Sequence, residues 1–302
     1  MRNHPYVWER ILNRKARAVW RDYASRQRLD AVQERIAGDL ERNGIALIHF
    51  SELFPGSSLF DELESYGHRL LVKDHIQKEI ADTERGNVNA KDDLIIHMLG
   101  GYSGLMPELV PGDPYLRFNL DGRILAIAGS YLGVAPRFRM FSLHSTALVP
   151  EGSGARFSQR WHRDPDDRKI VKVFLYVNDV LDIGTGPFMY VRGSHDGGQW
   201  RDPYPQLFPV GSYPPNGAVE KLIPAADIMR CFGRKGTIIF CDTSGFHKGG
   251  YSTKKRRLMY AGTFVTDASV QDIKYWIHKK ADISILHPLA RFALGRAGYD
   301  NQ

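Results

Sequence analysis

Near Arg137 the apolar residues of this chain change their repeat, and that change restricts the fold more than any other feature. Before it, apolar side chains recur every third or fourth position. After it, they alternate, as in Phe138, Met140, Ser142, His144 and Thr146 along one face of a strand predicted over Arg137 to Val149. Strands are also predicted over Ile170–Val177, Phe188–Val191, Thr237–Cys241 and Leu258–Val265, separated by Gly-containing turns. Helices first and many short strands afterwards define an α+β chain with an antiparallel barrel or jelly roll in its second half.

The helical half reads in some detail. Residues 6 to 27 suit a helix with a partial stripe of Val7, Ile11, Leu12, Ala18 and Trp20. Leu29, Val32, Ile36 and Leu40 recur at helical spacing, and Asn43-Gly44 is a C-terminal stop before a short strand from Ile45 to Phe50. Residues 72 to 93 suit a helix and then a loop at Gly86-Asn87-Val88-Asn89, and Leu116 to Leu132 suits one amphipathic helix. Residues 197 to 230, rich in Pro, Gly and Tyr, are too long for a turn and suit a lid or substrate loop. Two segments follow: a basic helical extension over residues 1–28, and a single domain over 29–302.

Charge is concentrated at the start. Residues 1–28 hold Arg2, Arg10, Arg14, Lys15, Arg17, Arg21, Arg26 and Arg28 against Glu9 and Asp22, in a chain of formal charge +7. Such an arm suits an acidic partner, a membrane surface or nucleic acid, although a solvated Arg-rich helix face is the plainer explanation. Its basic residues are not interleaved with aromatics in a nucleic-acid motif, so a nucleic-acid partner is not expected. No apolar run approaches the ~18 residues of a membrane span. The first twenty residues lack the apolar segment of a secretory signal. Cys231 and Cys241 are too few for a disulfide framework, so a cytoplasmic protein is expected.

The chemistry gathers in the strand half. In Trp161-His162-Arg163-Asp164 the alternation of a strand turns His162 and Asp164 to the same side and Arg163 away. With His247, which follows the strand Thr237–Cys241, they offer two imidazoles and one carboxylate to one face of a metal ion. That donor set, with the opposite positions open, is the facial triad of non-haem Fe(II) oxygenases. Arg257, ten residues beyond His247 at the start of an apolar strand, carries the fork that matches a carboxylate, and it would anchor the far carboxylate of a keto-acid cosubstrate. Arg256 then points to the opposite face. His4, His49, His68, His75, His97, His278 and His287 are read as structural.

With these residues placed, the chain resembles the phytanoyl-CoA dioxygenase family of Fe(II)/2-oxoglutarate oxygenases from about Leu29 to Val265. The first ligand motif is matched by Trp161 to Asp164. Gly184 to His195 resembles the family's turn, strand and Gly-Ser-His segment, and Asp242 to Gly249 followed by Arg257 resembles its distal His and cosubstrate Arg. Gly249 stands where family members often carry Ser. The resemblance implies a double-stranded β-helix, a jelly-roll or cupin-like barrel, with flanking N-terminal helices. It implies Fe(II), 2-oxoglutarate and O₂ as cofactors, with release of succinate and CO₂ and hydroxylation or another oxidation of a substrate C–H bond. It also implies that His195 is structural. Asp164 favours hydroxylation over halogenation, because related halogenases carry a small residue there.

If the row Ser142, His144 and Thr146 faces the barrel interior, His144 or Thr146 would bind the cosubstrate or orient a ligand. At a sheet edge they would instead meet backbone or water. The substrate expected is a small or medium organic molecule, free or linked to CoA or a carrier protein. The competing reading is a binding or regulatory protein that keeps the fold without catalysis.

Overall fold

The computed structural model describes residues 4–86, 94–101, 107–277, 281–295 and 298–299. A π-helical turn, Val7–Leu12, leads into α1 (Arg14–Arg26) and α2 (Ala31–Asn43). Strand β1 (Ile45–His49) is followed by α3 (Phe50–Leu53), α4 (Leu59–Leu71), α5 (Asp74–Glu84), β2 (Ile95–Gly100) and β3 (Glu108–Leu109). Helices α6 (Pro114–Asn119) and α7 (Gly122–Leu132) precede β4 (Arg137–Thr146), β5 (Val171–Tyr176) and β6 (Phe188–Val191). Then come α8 (Ala218–Leu222), β7 (Ile228–Cys231), β8 (Thr237–Asp242), β9 (His247–Lys248) and β10 (Leu258–Val265). The chain closes with β11 (Trp276–Ile277), α9 (Pro288–Leu294) and β12 (Gly298–Tyr299).

Among the described residues, six strands form one sheet in the order β1-β8-β5-β10-β4-β2, antiparallel at every junction. A second antiparallel sheet has the order β7-β6-β9. Phe174, Tyr176, Ile239 and Met259 of the first sheet pack with Phe188, Tyr190 and Cys231 of the second in one apolar cluster. The other face of the large sheet carries Val171, Val173, Leu175, Phe240 and Tyr260, and there it buries the apolar faces of α2, α4 and α7. Side-chain alternation thus divides each strand between a helix-covered core and an inter-sheet space.

Several boundaries follow local chemistry. Asp30 and Gln33 form a capping box at the start of α2, and Gly44 ends it at a φ of 72°, which L-residues with side chains rarely adopt. The single helix expected over Leu116–Leu132 is two, because the Asp121 carboxylate accepts from Arg123 N at 2.8 Å and begins a new helix. The N-terminal stripe also differs from expectation. Ile11 is 59% exposed, while Trp8, Asn13 and Ala16 are the buried residues of that segment. Trp8 Nε1 donates to Asp167 at 2.9 Å and Ala135 N donates to Ala16 O at 3.0 Å, so this segment packs on the rest of the fold.

Strand β4 keeps the expected alternation from Met140 to His144. A bulge between Thr263 and Phe264 turns Phe138 out of that row into the helix-covered core. Residues 197–230 contain α8 and the start of β7 rather than a structureless loop. The loop expected at Asn87-Val88-Asn89 lies outside the described residues, as does His278. Cys231 and Cys241 are free and buried in the same cluster. No described helix is long and apolar enough to cross a membrane.

Candidate metal centre

His162, Asp164 and His247 converge, with one ligand atom from each lying within 4.8 Å of the others. His162 Nε2 is 3.7 Å from Asp164 Oδ1, and His247 Nε2 is 3.5 Å from Asp164 Oδ2. The HxD pair does not lie on a regular strand. It is extended chain held by single bridges, His162 to His247 and Arg163 to Ser212. His162 N donates to His247 O at 3.1 Å and His247 N returns a bond to His162 O at 3.0 Å. Asp164 N donates to Thr243 O at 2.9 Å. The two imidazoles therefore sit side by side, 4.1 Å apart at their centroids, because their backbones are paired.

Each imidazole is also turned correctly. His162 Nδ1 lies 2.8 Å from Arg160 O, and His247 Nδ1 lies 3.0 Å from Gly245 O. A carbonyl only accepts, so both Nδ1 atoms carry the proton and both Nε2 atoms are left with a lone pair for a metal. Burial, and then the neighbouring His162, pushes the His247 imidazole down to about 3. Burial alone would raise the Asp164 carboxyl, but Lys172, His247 and His162 outweigh it and hold it well below its ordinary value. Neutral imidazoles and an ionised carboxylate are the protonation states that ligation requires. Two nitrogens and one carboxylate on one face suit a first-row divalent ion such as Fe(II), so the residues fit the metal that the sequence implies.

Arg163 takes the opposite direction, as alternation requires. It is 2% exposed, donates to the carbonyls of Ser244, Trp200 and Arg201 at 2.9 to 3.1 Å, and also to that of Ser194. Its guanidinium lies 3.7 Å over the Phe246 ring. It thus ties the ligand segment to the chain that follows the Gly193-Ser194-His195 turn. His195 itself lies 3.1 Å from Glu41 O and away from the triad.

Behind the triad, Asp242 is fully buried. Its Oδ2 accepts from Tyr131 Oη at 2.6 Å, and its Oδ1 accepts from Ser244 N at 2.9 Å and Ile170 N at 3.1 Å. Burial raises this carboxyl against the lowering effect of those donors. The turn it braces supplies two of the carbonyls that serve the site, Thr243 O to Asp164 and Gly245 O to His247.

A cavity of about 360 Å³ opens in front of the triad. Its walls include Met140, Ser142 and His144 of β4, Lys172 and Phe174 of β5, Met259, Ala261 and Thr263 of β10, and Arg257 just before β10. The polar row on β4 therefore faces the interior as far as His144. His144 Nδ1 is 3.1 Å from Ser142 Oγ, and burial lowers its pKa. Thr146 serves Arg257 directly: its Oγ1 accepts from Arg257 N at 2.8 Å and is 2.5 Å from Ser252 Oγ. Arg257 is 2% exposed and donates to Gly186 O. Arg256 leaves in the other direction and pairs with Glu84 through two contacts of 2.8 and 2.7 Å.

Three cavity residues go beyond the sequence reading. His97, read there as structural, lies across from His144 with ring centroids 5.9 Å apart, and burial pushes it down to about 4. Tyr213, from the 197–230 segment, is stacked on His162 at 5.3 Å and 10°. Lys172 Nζ is 2.6 Å from Asp164 Oδ2. For Lys172 a signal was present, since it alternates with Phe174 and Tyr176 on the inner face of β5. His97 and Tyr213 carried no such signal.

Among solved structures, the chain is similar to non-haem α-ketoglutarate-dependent enzymes. The epimerase SnoN, solved with Fe³⁺, α-ketoglutarate and nogalamycin RO, matches at a TM-score of 0.53 and 16% identity, over 78% of this chain and 84% of that one. A second structure of SnoN, from nogalamycin biosynthesis, matches at 0.51 and 16%, over 78% and 83%. The apoform of EctD from S. alaskensis matches at 0.52 and 16%, over 90% and 88%. At such identity the likeness defines the fold. No family model matches the chain, and no curated protein matches it in sequence.

Proposed function

We propose that this protein is a non-haem Fe(II)- and 2-oxoglutarate-dependent oxygenase of the phytanoyl-CoA dioxygenase type, built on a double-stranded β-helix. The observation that carries the proposal is the convergence of His162, Asp164 and His247 with both Nδ1 atoms held by carbonyls. In this reading those three hold the iron, and Arg257, on the wall of the same cavity, binds the 5-carboxylate of 2-oxoglutarate. Thr146 steadies Arg257 through its backbone, and His144 meets the cosubstrate from β4. When bound, Fe(II), 2-oxoglutarate and O₂ together supply oxidising power that converts the keto acid to succinate and CO₂ and oxidises a substrate C–H bond.

The chain's own share is to bind, orient and enclose. The carbonyls of Arg160 and Gly245 keep the proton on Nδ1 of each ligand histidine. Phe174, Met259 and Phe188 line the cavity with apolar surface and limit water there. The substrate is a small or medium organic molecule, free or carried on CoA or an acyl carrier, and hydroxylation is the preferred outcome. Two free buried thiols and the lack of a spanning helix among the described residues agree with a cytoplasmic enzyme.

The test is anaerobic addition of Fe(II) and 2-oxoglutarate, which should develop the visible charge-transfer band of a chelated keto acid, followed by Fe(II)-dependent succinate release in air. A protein that neither binds Fe(II) nor consumes 2-oxoglutarate would instead be a binding protein on this fold.

A further inference from the structure

Two large aromatic side chains stand half in solvent at the metal cavity. Phe157 is 43% exposed and Tyr213 53%, yet both line the cavity, so they mark its rim. Tyr213 lays one face of its ring on His162, and the exposure that remains belongs to its edge and its other face. Arg160 stands beside it, with its guanidinium 5.6 Å from the ring centroid. Phe157 has a φ of 34°, a region that bulky L-residues rarely enter. Strain of this kind persists only where the surroundings fix it, and it gathers at ligand-binding sites.

Both rings are set in register with the candidate metal ligands. Ser158, next to Phe157, accepts from Gly249 N at 2.8 Å, two residues beyond His247. Ser212, next to Tyr213, exchanges two backbone bonds of 2.9 and 3.2 Å with Arg163, one residue beyond His162. Gln206 Nε2 donates to Asp164 O at 2.7 Å and to Asp167 O at 2.5 Å, so the chain that leads to Tyr213 is clamped to the ligand segment twice. A group gripped by either ring is thereby held in a fixed relation to His162, Asp164 and His247.

Size and charge narrow the occupant. At about 360 Å³ the cavity is near the lower end of small-molecule pockets, and the keto acid of the oxygenase reading takes part of it. The rest of a medium-sized substrate then lies at the rim. Aromatic faces there attract either another ring or a cation. Lys172 and Arg257 on the wall and Arg160 at the rim stand against one carboxylate, Asp164, among the described lining residues, so a cation is disfavoured and a ring is left. We propose that Phe157 and Tyr213 are specificity-determining residues that bind an aromatic ring of the substrate at the cavity mouth. This rests on the oxygenase reading above and commits it to substrates that carry such a ring next to the reacting C–H bond.

The experiment uses the full chain loaded with Ni(II) and 2-oxoglutarate, which holds the centre without turnover. Two pairs of probes are titrated calorimetrically: 2-naphthylmethanol with its decahydro analogue, and 3-phenylpropan-1-ol with 3-cyclohexylpropan-1-ol. The members of a pair share a carbon skeleton and differ in aromaticity, and the saturated member is the more hydrophobic. The wild type should bind the aromatic member about two- to tenfold more tightly, the worth of one aromatic contact. Tyr213→Leu and Phe157→Leu keep apolar bulk, so each should bring that ratio towards one without changing Ni(II) affinity, and Tyr213→Phe should keep it. Equal binding within both pairs, no binding of any member, or an unchanged ratio in either leucine variant would each overturn the proposal. A Tyr213→Leu variant that loses Ni(II) affinity and keeps the ratio would likewise overturn it and make that ring a prop for His162. Succinate release with Fe(II), measured beside the titrations, separates the two readings. Release without an aromatic preference sinks this proposal alone, whereas no release sinks the oxygenase reading and the substrate role with it.

Discussion

His162 and His247 hold one another by the backbone, each donating its N–H to the other's carbonyl at 3.1 and 3.0 Å. Two candidate ligands far apart in sequence are thus fixed side by side before any metal arrives. Asp164 joins them through Thr243 O, so all three positions belong to one pairing of two chain segments. Preorganisation of this kind makes the site sensitive to ligand identity and less dependent on neighbouring loops.

Asp164→Ala should weaken Fe(II) or Co(II) binding by ~100-fold or more, exceeding the loss usual for an outer partner of a metal ligand. The fold should persist, because the backbone bridges do not involve the carboxylate. Calorimetric titration with Co(II), beside a far-ultraviolet circular dichroism spectrum, checks both halves.

Arg257→Met should raise KM for 2-oxoglutarate by roughly 10- to 100-fold, the range expected for losing hydrogen bonds to a charged partner. Arg257→Lys should recover only part of this, since an ammonium cannot reproduce the two-point fork. Steady-state kinetics with 2-oxoglutarate as the varied component decide the matter.

His97 and His144 give the stability a pH dependence of defined sign. Burial lowers both, His97 to about 4, so the unfolded chain binds their protons more readily than the folded one. Their contribution is complete above the unfolded value near 6.5 and is lost as pH falls towards 4. For His97 the loss is roughly 2 kcal/mol, after allowance for its partial exposure. Urea denaturation at pH 7.5, 6 and 5 should show falling midpoints, and His97→Gln should flatten the slope.

Asp242→Ala should destabilise the protein by about 3 kcal/mol or more. It leaves the Tyr131 hydroxyl and the amides of Ile170 and Ser244 without their acceptor, and each orphaned buried donor costs about 1–3 kcal/mol. Because the same turn carries Thr243 O and Gly245 O, metal affinity should fall with it. Thermal unfolding and Co(II) titration of the one variant should therefore move together.

The triad was legible in the sequence because its donors are rare residue types at a spacing that backbone alternation turns into direction. The strands of the second half were legible for the same reason. Lys172 was missed because alternation assigns a face to a side chain without saying that the face is enclosed, and lysine is ordinarily solvated. His97 was missed because its strand, Ile95–Gly100, owes its place to pairing with β4 rather than to a pattern of its own. Phe138 was assigned to the wrong face because a bulge depends on the partner strand. Arg163 was correctly turned away, but its carbonyl partners at Ser194, Trp200 and Ser244 are tertiary and leave no local trace.

The contact between Trp8 and Asp167 has a practical meaning. Asp167 follows Asp164 by three residues, is fully buried, and receives Thr266 N, Thr266 Oγ1 and Trp8 Nε1 at 2.6 to 2.9 Å. The hinge of the ligand-bearing segment is therefore bolted by the first turn of the chain as well as by the end of β10. A protein trimmed to begin at residue 29, as its charge pattern would invite, would lose that bolt, and the missing piece would register as slackness at the metal rather than as a lost appendage.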